Sequence, residues 1–199
     1  MALNKSEGAH TVFLSVADGN LVRQHKTPTP DTSERVTKTG KLVYEERFKG
    51  LTGIITKIET KENDYGKQWA ITFVDGESKY VVNLSYSSRY ASSFLKALPN
   101  VRKGELVKFM PWSMLDKQDA SKKITGITMY QNDGNGYVKI LPAFTKEEPN
   151  GLPQMIQLKV KGKLTWDDSE MMQYLEAKAM EWVKVESAPD ETQGEEAPF

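Results

Sequence analysis

Two runs decide the reading of this chain: Gln68-Trp-Ala-Ile-Thr-Phe-Val74 and Lys79-Tyr-Val-Val-Asn-Leu-Ser-Tyr86, with Asp75-Gly76 between them. In the first, Trp69, Ile71 and Phe73 fall on one side and Gln68, Ala70, Thr72 and Val74 on the other. In the second, Tyr80, Val82, Leu84 and Tyr86 share a side, opposite Lys79, Val81, Asn83 and Ser85. A period of two in β-branched and aromatic residues is the pattern of strands with one buried face. Asp-Gly between such runs is a hairpin turn signal.

Upstream, Leu42 to Lys61 predicts one long strand region, bent where Gly50 and Gly53 interrupt it, with Asn63-Asp-Tyr-Gly66 as the next turn. Downstream the period changes. Tyr90, Ala91, Phe94, Leu95 and Leu98 recur at helical spacing over Ser87–Leu98, and Pro99 stops the helix. Glu105 to about Ser113 and Lys123 to Gln131 read as two more strands around the polar loop Asp116–Ser121. Three strands, a short helix and two strands is the order of the OB-fold, a five-stranded Greek-key barrel. The expected class is therefore mainly β, with the barrel at about 42–131.

The flanks read as additions. Residues 11–25 predict a hairpin turning at Ala17-Asp-Gly-Asn20, and 26–40 a loop rich in Thr and Pro. Beyond the barrel, Tyr137–Ile140 is strand-like. Met155–Leu164 alternates as one strand with Ile156, Leu158 and Val160 inward, which closes an elaborated domain at 1–164. Thr165-Trp-Asp-Asp168 has the form of a capping box for a helix at 165–183. The stripe Met172, Leu175, Ala179 and Trp182 is expected to pack on the barrel.

Among 199 residues there is no cysteine, which removes disulfides, thiolate metal sites and cysteine nucleophiles. No apolar run approaches the length of a membrane span, and the start has no apolar signal region. A cytoplasmic protein is expected, with no membrane partner. The net charge of zero conceals an asymmetry. Residues 1–163 hold 25 Lys+Arg against 17 Asp+Glu, a net of +8, and residues 164–199 hold 2 against 10, a net of −8. A basic body suggests an anionic partner.

Residues 184–199 lack any core-forming period; from Glu186 there are five acids and no base before Phe199. Such a segment is expected to be disordered. Glu195-Glu196-Ala197-Pro198-Phe199 reads as a ligand: proline limits the entropy lost on docking, the ring fills an apolar pocket, and the acids pair with Arg or Lys. At this point the chain resembles bacterial and phage single-stranded-DNA-binding proteins, which join an OB-fold to a flexible tail ending in acids and Pro-Phe. The likeness covers the last few residues and the strand pattern of 42–131. The extra elements look like an elaborated phage-type version, and the oligomeric state, dimer or higher included, stays open. The resemblance implies sequence-tolerant single-stranded DNA binding and recruitment of replication, recombination and repair proteins through residues 195–199.

A single strand needs cations for its phosphates and flat rings for its bases. The candidates are Lys57, Lys61, Tyr65, Lys67, Lys79, Tyr86, Arg89, Lys108, Trp112, Lys122, Lys123 and Tyr130. Trp69, Phe73 and Tyr80 share faces with Ile71, Val82 and Leu84 and are expected in the core. Lys159, Lys161 and Lys163 form a second candidate track, or guard a strand edge against aggregation. His10 and His25 lie apart with no cluster of ligands, and Asp167-Asp168 suit a helix start. With no phosphate loop and no nucleophile elbow, neither an enzyme nor a cofactor or metal is expected. Two other readings stay open: an OB barrel that binds protein, and one that binds RNA.

Overall fold

The alternation that marks the two deciding runs is realised in a computed structural model. It describes residues 11–184 apart from positions 38, 65 and 161, and only the backbone of Val160 and Lys163. Trp69, Ile71 and Phe73 are buried, as are Val82 and Leu84 beside them. Twelve strands are described: β1 Thr11–Ala17, β2 Asn20–His25, β3 Ser33–Val36, β4 Leu42–Phe48, β5 Leu51–Asn63, β6 Gly66–Asp75, β7 Ser78–Ser85, β8 Leu106–Leu115, β9 Lys123–Asn132, β10 Tyr137–Lys139, β11 Ile156–Val160 and β12 Lys163–Asp167. Helix α1 spans Arg89–Ala97, continued by a 3-10 turn at Leu98–Asn100 with Pro99 in its first turn, and α2 spans Ser169–Lys184.

Ten strands form one sheet in the order β10-β9-β8-β5-β6-β7-β1-β2-β4-β3. The pairings lead in a circuit from β5 through β6, β7, β1 and β2 to β4, and β4 runs on into β5 through Lys49-Gly50. Gly50 is needed there, because a Cβ would stand 2.8 Å from the Phe109 carbonyl oxygen. The expected long bent strand is thus two strands joined at Gly50. The register slip lies between Ile55 and Lys57, not at Gly53.

The core enclosed by the sheet and the helices is apolar. Phe73 and Phe109 meet edge to face at 5.3 Å, and Phe94 of α1 joins Phe109 at 6.0 Å. Ser88 caps α1 by accepting from the Ala91 N–H. Helix α2 buries Met171, Met172, Leu175 and Ala179, and the Trp182 Nε1 donates to the Val101 carbonyl at 3.1 Å. The expected stripe therefore packs inward.

Four expectations need correction. The hairpin at 11–25 is no appendage: β1 pairs parallel with β7 and β2 antiparallel with β4. The stretch 26–40 includes strand β3, clamped to β4 where Arg35 and Arg47 both reach the buried Glu45 carboxylate. Met155–Leu164 is no single inward strand. The chain turns before Lys163, with Gly162 at φ +79, into a two-stranded ribbon, β11–β12, paired with no other described strand. Ile156 and Leu158 are exposed on it. Thr165 and Trp166 belong to β12, so α2 starts later, where the Ser169 N–H and hydroxyl donate to the Asp167 carboxylate.

Candidate nucleic-acid interface

Strand β8 sends Val107 and Phe109 inward and Lys108, Met110 and Trp112 outward, as the pleat requires. On β9, Tyr130 lies across from Lys108 and Gly126 across from Trp112. Lys139 of β10 lies across from Tyr130, and Thr52 of β5 across from Lys108. One cross-strand row therefore reads Thr52, Lys108, Tyr130, Lys139. Exposed Tyr137 stands two residues along on the same side as Lys139. The Trp112 ring crosses directly over Gly126, where a Cβ would come within 2.6 Å of Cζ2. Glycine at 126 lets the indole lie down on the sheet, where Trp112 stays half-buried.

A second outward surface adjoins this one through β5. Lys57 lies across from Thr72, Thr72 from Val81, and Val81 from Phe13. Thr72, Ala70 and Val81 make a low floor, and Phe13 rises from it with 61% of its area exposed. Lys79 is exposed in the adjoining row, next to Thr11 and Val74. Lys57 and Lys61 both bridge to Glu59, at 2.7 and 2.9 Å, and keep more than half their side-chain area in solvent. These salt bridges are weak enough for a polyanion to replace.

The other candidates are placed differently. Lys67 and Tyr86 are committed to α2. The Lys67 ammonium bonds both oxygens of Glu176, at 2.8 and 2.7 Å, and lies 4.3 Å from the Tyr86 ring centroid. The Tyr86 hydroxyl donates to Glu176 at 2.6 Å, and its ring stacks on Trp69 at 5.6 Å. Burial and the neighbouring carboxylate push the Tyr86 phenol up. Burial alone would raise Glu176, but the bonds from Lys67 and Tyr86 hold it below the usual carboxylate range.

Arg89 donates to the Lys123 carbonyl at 3.1 Å, and the Ser93 hydroxyl bonds the N–H and carbonyl of Ile127. Side chains of α1 thus satisfy the outer edge of β9. Lys122 and Lys123 stand at the β8–β9 loop, paired with Asp119 and Asp18 at 2.9 and 2.8 Å. Tyr65, Lys161 and the segment Glu195, Glu196, Ala197, Pro198 and Phe199 lie outside the described residues.

Lys108, Trp112 and Tyr130 are therefore brought together on one surface, and Lys57, Lys61 and Lys79 on the adjoining one. Phe13, Tyr137 and Lys139 escaped the sequence reading. Phe13 had a visible signal, because Val12, Leu14 and Val16 form the inward set and leave it outward. Tyr137 and Lys139 had none without the β9–β10 register. Among the described residues no cluster of His, Asp or Glu is arranged to hold a metal ion, and no helix is long and apolar enough to cross a membrane. Comparison with family models, with curated proteins and with solved structures returns no match.

Proposed function

We propose that this chain binds single-stranded DNA, largely without sequence preference, on the outward face of an OB-type barrel. The strand neighbours β7-β6-β5-β8-β9 support the barrel assignment, with β1 seated on the outer edge of β7. The observation that carries the functional reading is the row Lys108, Tyr130, Lys139, with Trp112 and Tyr137 beside it. Cations alternate there with rings at cross-strand spacing, which is the surface that phosphates and unstacked bases require. Lys57, Lys61, Lys79 and Phe13 extend the same chemistry across β5. No pocket for the edges of paired bases is needed, because stacking accepts every base.

In this proposal the acidic segment from Glu186 plays the complementary part. Residues 195–199 recruit replication, recombination or repair proteins, and the acidic run competes with DNA for the basic face. Tethering keeps the segment at about millimolar effective concentration, so a weak self-contact is populated.

The test is a competition. Labelled oligo-dT bound to the full chain is challenged with unlabelled oligo-dT, with duplex DNA and with oligo-U. The expected order of displacement is oligo-dT first and duplex last. Equal displacement by oligo-U would mean that the face does not distinguish RNA, whose 2′-hydroxyl is the only sugar difference. A chain that binds none of the three would fit the protein-binding reading instead.

A further inference from the structure

A groove of about 510 Å³ lies beyond the outer edge of β9, between α1 and the base of the β11–β12 ribbon. Arg89, Ser92 and Lys96 of α1 line one side, and Met155 and Trp166 the other. Trp166 is 63% exposed although it is the largest side chain on the ribbon. Cross-strand register places it opposite Gln157, on the same side of the ribbon as the exposed Lys159. A two-stranded ribbon has no second layer to cover such a ring.

The ammonium of Lys96 sharpens the reading. It is half-buried beside this groove, and no carboxylate bonds it among the described residues. Burial holds its pKa below the ordinary lysine value. A partly desolvated cation without a partner gains by taking an anion. Arg89 spends one N–H on the Lys123 carbonyl and keeps four for other acceptors. One carboxylate, Asp168, also borders the groove at the α2 end.

The groove meets the edge of β9 at Ser93, whose hydroxyl stands 3.2 Å from where a Cβ on Gly126 would lie. Thr125 lines the groove, one residue from Gly126, across which Trp112 lies. We infer that single-stranded DNA leaving the Trp112 end of the sheet crosses the edge of β9 into this groove, where Trp166 stacks on a base and Lys96 and Arg89 hold phosphates. The inference rests on the proposed single-strand binding and adds a second, separate contact to it. The ribbon is then an arm that lengthens the binding track.

The experiment titrates short and long labelled oligo-dT with the full wild-type chain and with Trp166→Ala, Lys96→Gln and Leu158→Ala. Leu158 lies on the opposite side of the ribbon and serves as the control. For the long oligomer, Trp166→Ala should bind about tenfold more weakly, within the range for loss of one stacked base. Lys96→Gln should flatten the salt dependence by about 0.7 in slope, one phosphate's share. The short oligomer, held on the sheet, and Leu158→Ala should show wild-type behaviour. Melting curves of Trp166→Ala and Leu158→Ala should coincide with that of wild type, because both side chains are exposed.

If Trp166→Ala binds the long oligomer as tightly as wild type does, the groove inference is overturned and the sheet face stands. If wild type binds neither oligomer, the sheet reading fails and takes the groove with it. If Trp166→Ala binds more tightly, the groove holds the chain's own acidic segment instead, and the inference is overturned in that way.

Discussion

Strand β8 and the β11–β12 ribbon carry the same kind of alternation and reach different ends. In β8, Val107 and Phe109 are fully buried while Lys108 and Met110 point away. In the ribbon, Ile156 and Leu158 alternate with Gln157 and Lys159 just as regularly, yet both remain exposed. The difference lies in what stands opposite. Against Phe109 of β8 pack Phe73 and Phe94, whereas among the described strands β11 pairs only with β12. A period of two states that a strand has two faces; whether one of them is buried depends on a second layer that the strand's own residues do not encode.

The sharpest way to break that comparison is to truncate one apolar side chain in each region. Phe109→Ala should destabilise the fold by about 3–5 kcal/mol, seen as a large fall in melting temperature. Leu158→Ala should stay within about 0.5 kcal/mol of wild type. Equal losses would show that the ribbon is packed after all. The next effect concerns affinity. Trp112→Ala should weaken oligo-dT binding by roughly 1–3 kcal/mol, the value of a base stacked on a ring. Phe13→Ala, on the adjoining surface, should weaken it by no more than that range, with no loss of stability. Binding that is unchanged in both variants would remove the aromatic part of the interface.

A smaller effect separates the cations that hold the fold from those proposed to meet DNA. Glu176→Gln should cost roughly 1–2 kcal/mol in chemical denaturation, at the low side of charge-assisted bonds because Lys67 is 38% exposed. Its pH dependence has a definite sign. The Glu176 carboxyl is held below its unfolded value, so its contribution is complete above about pH 4.3 and is lost as pH falls through the folded value. Below that pH the gap between wild type and Glu176→Gln should close. A gap that persists in acid would place the contribution elsewhere. Oligo-dT affinity of Glu176→Gln should stay near wild type, in contrast to Lys108→Gln, which should lose about 0.7 from the salt slope with little change in stability.

The legibility of the fold follows the same line. β6 and β7 were plain in the sequence, because alternation, aromatic content and Asp75-Gly76 all agree. Helix α1 was plain too, since Pro99 and the 3.6 period mark its end and its face. The parallel partnership of β1 with β7 was not legible: nothing within Thr11–Ala17 names the strand it will pair with, 60 and more residues away in the chain. The ribbon was missed for a local reason. Gly162, at φ +79, marks a turn, but unbroken alternation from Met155 to Leu164 made it look like strand interior, and that displaced the start of α2 by four residues.

For the interface, Lys108, Trp112 and Tyr130 were legible as residue types, and their convergence needed the β8–β9 register. Lys67 and Tyr86 were indistinguishable from them in the sequence. What diverts them is Glu176, about 90 residues or more downstream on α2, whose carboxylate occupies both.

The most direct test of the account is a titration of oligo-dT with the full chain at 50 and 200 mM salt. With about five phosphates neutralised, the slope of roughly −0.7 for each predicts binding about a hundredfold weaker at the higher salt. Duplex of the same sequence should bind far less tightly at both. Binding that is independent of salt, or a preference for the duplex, would contradict the account.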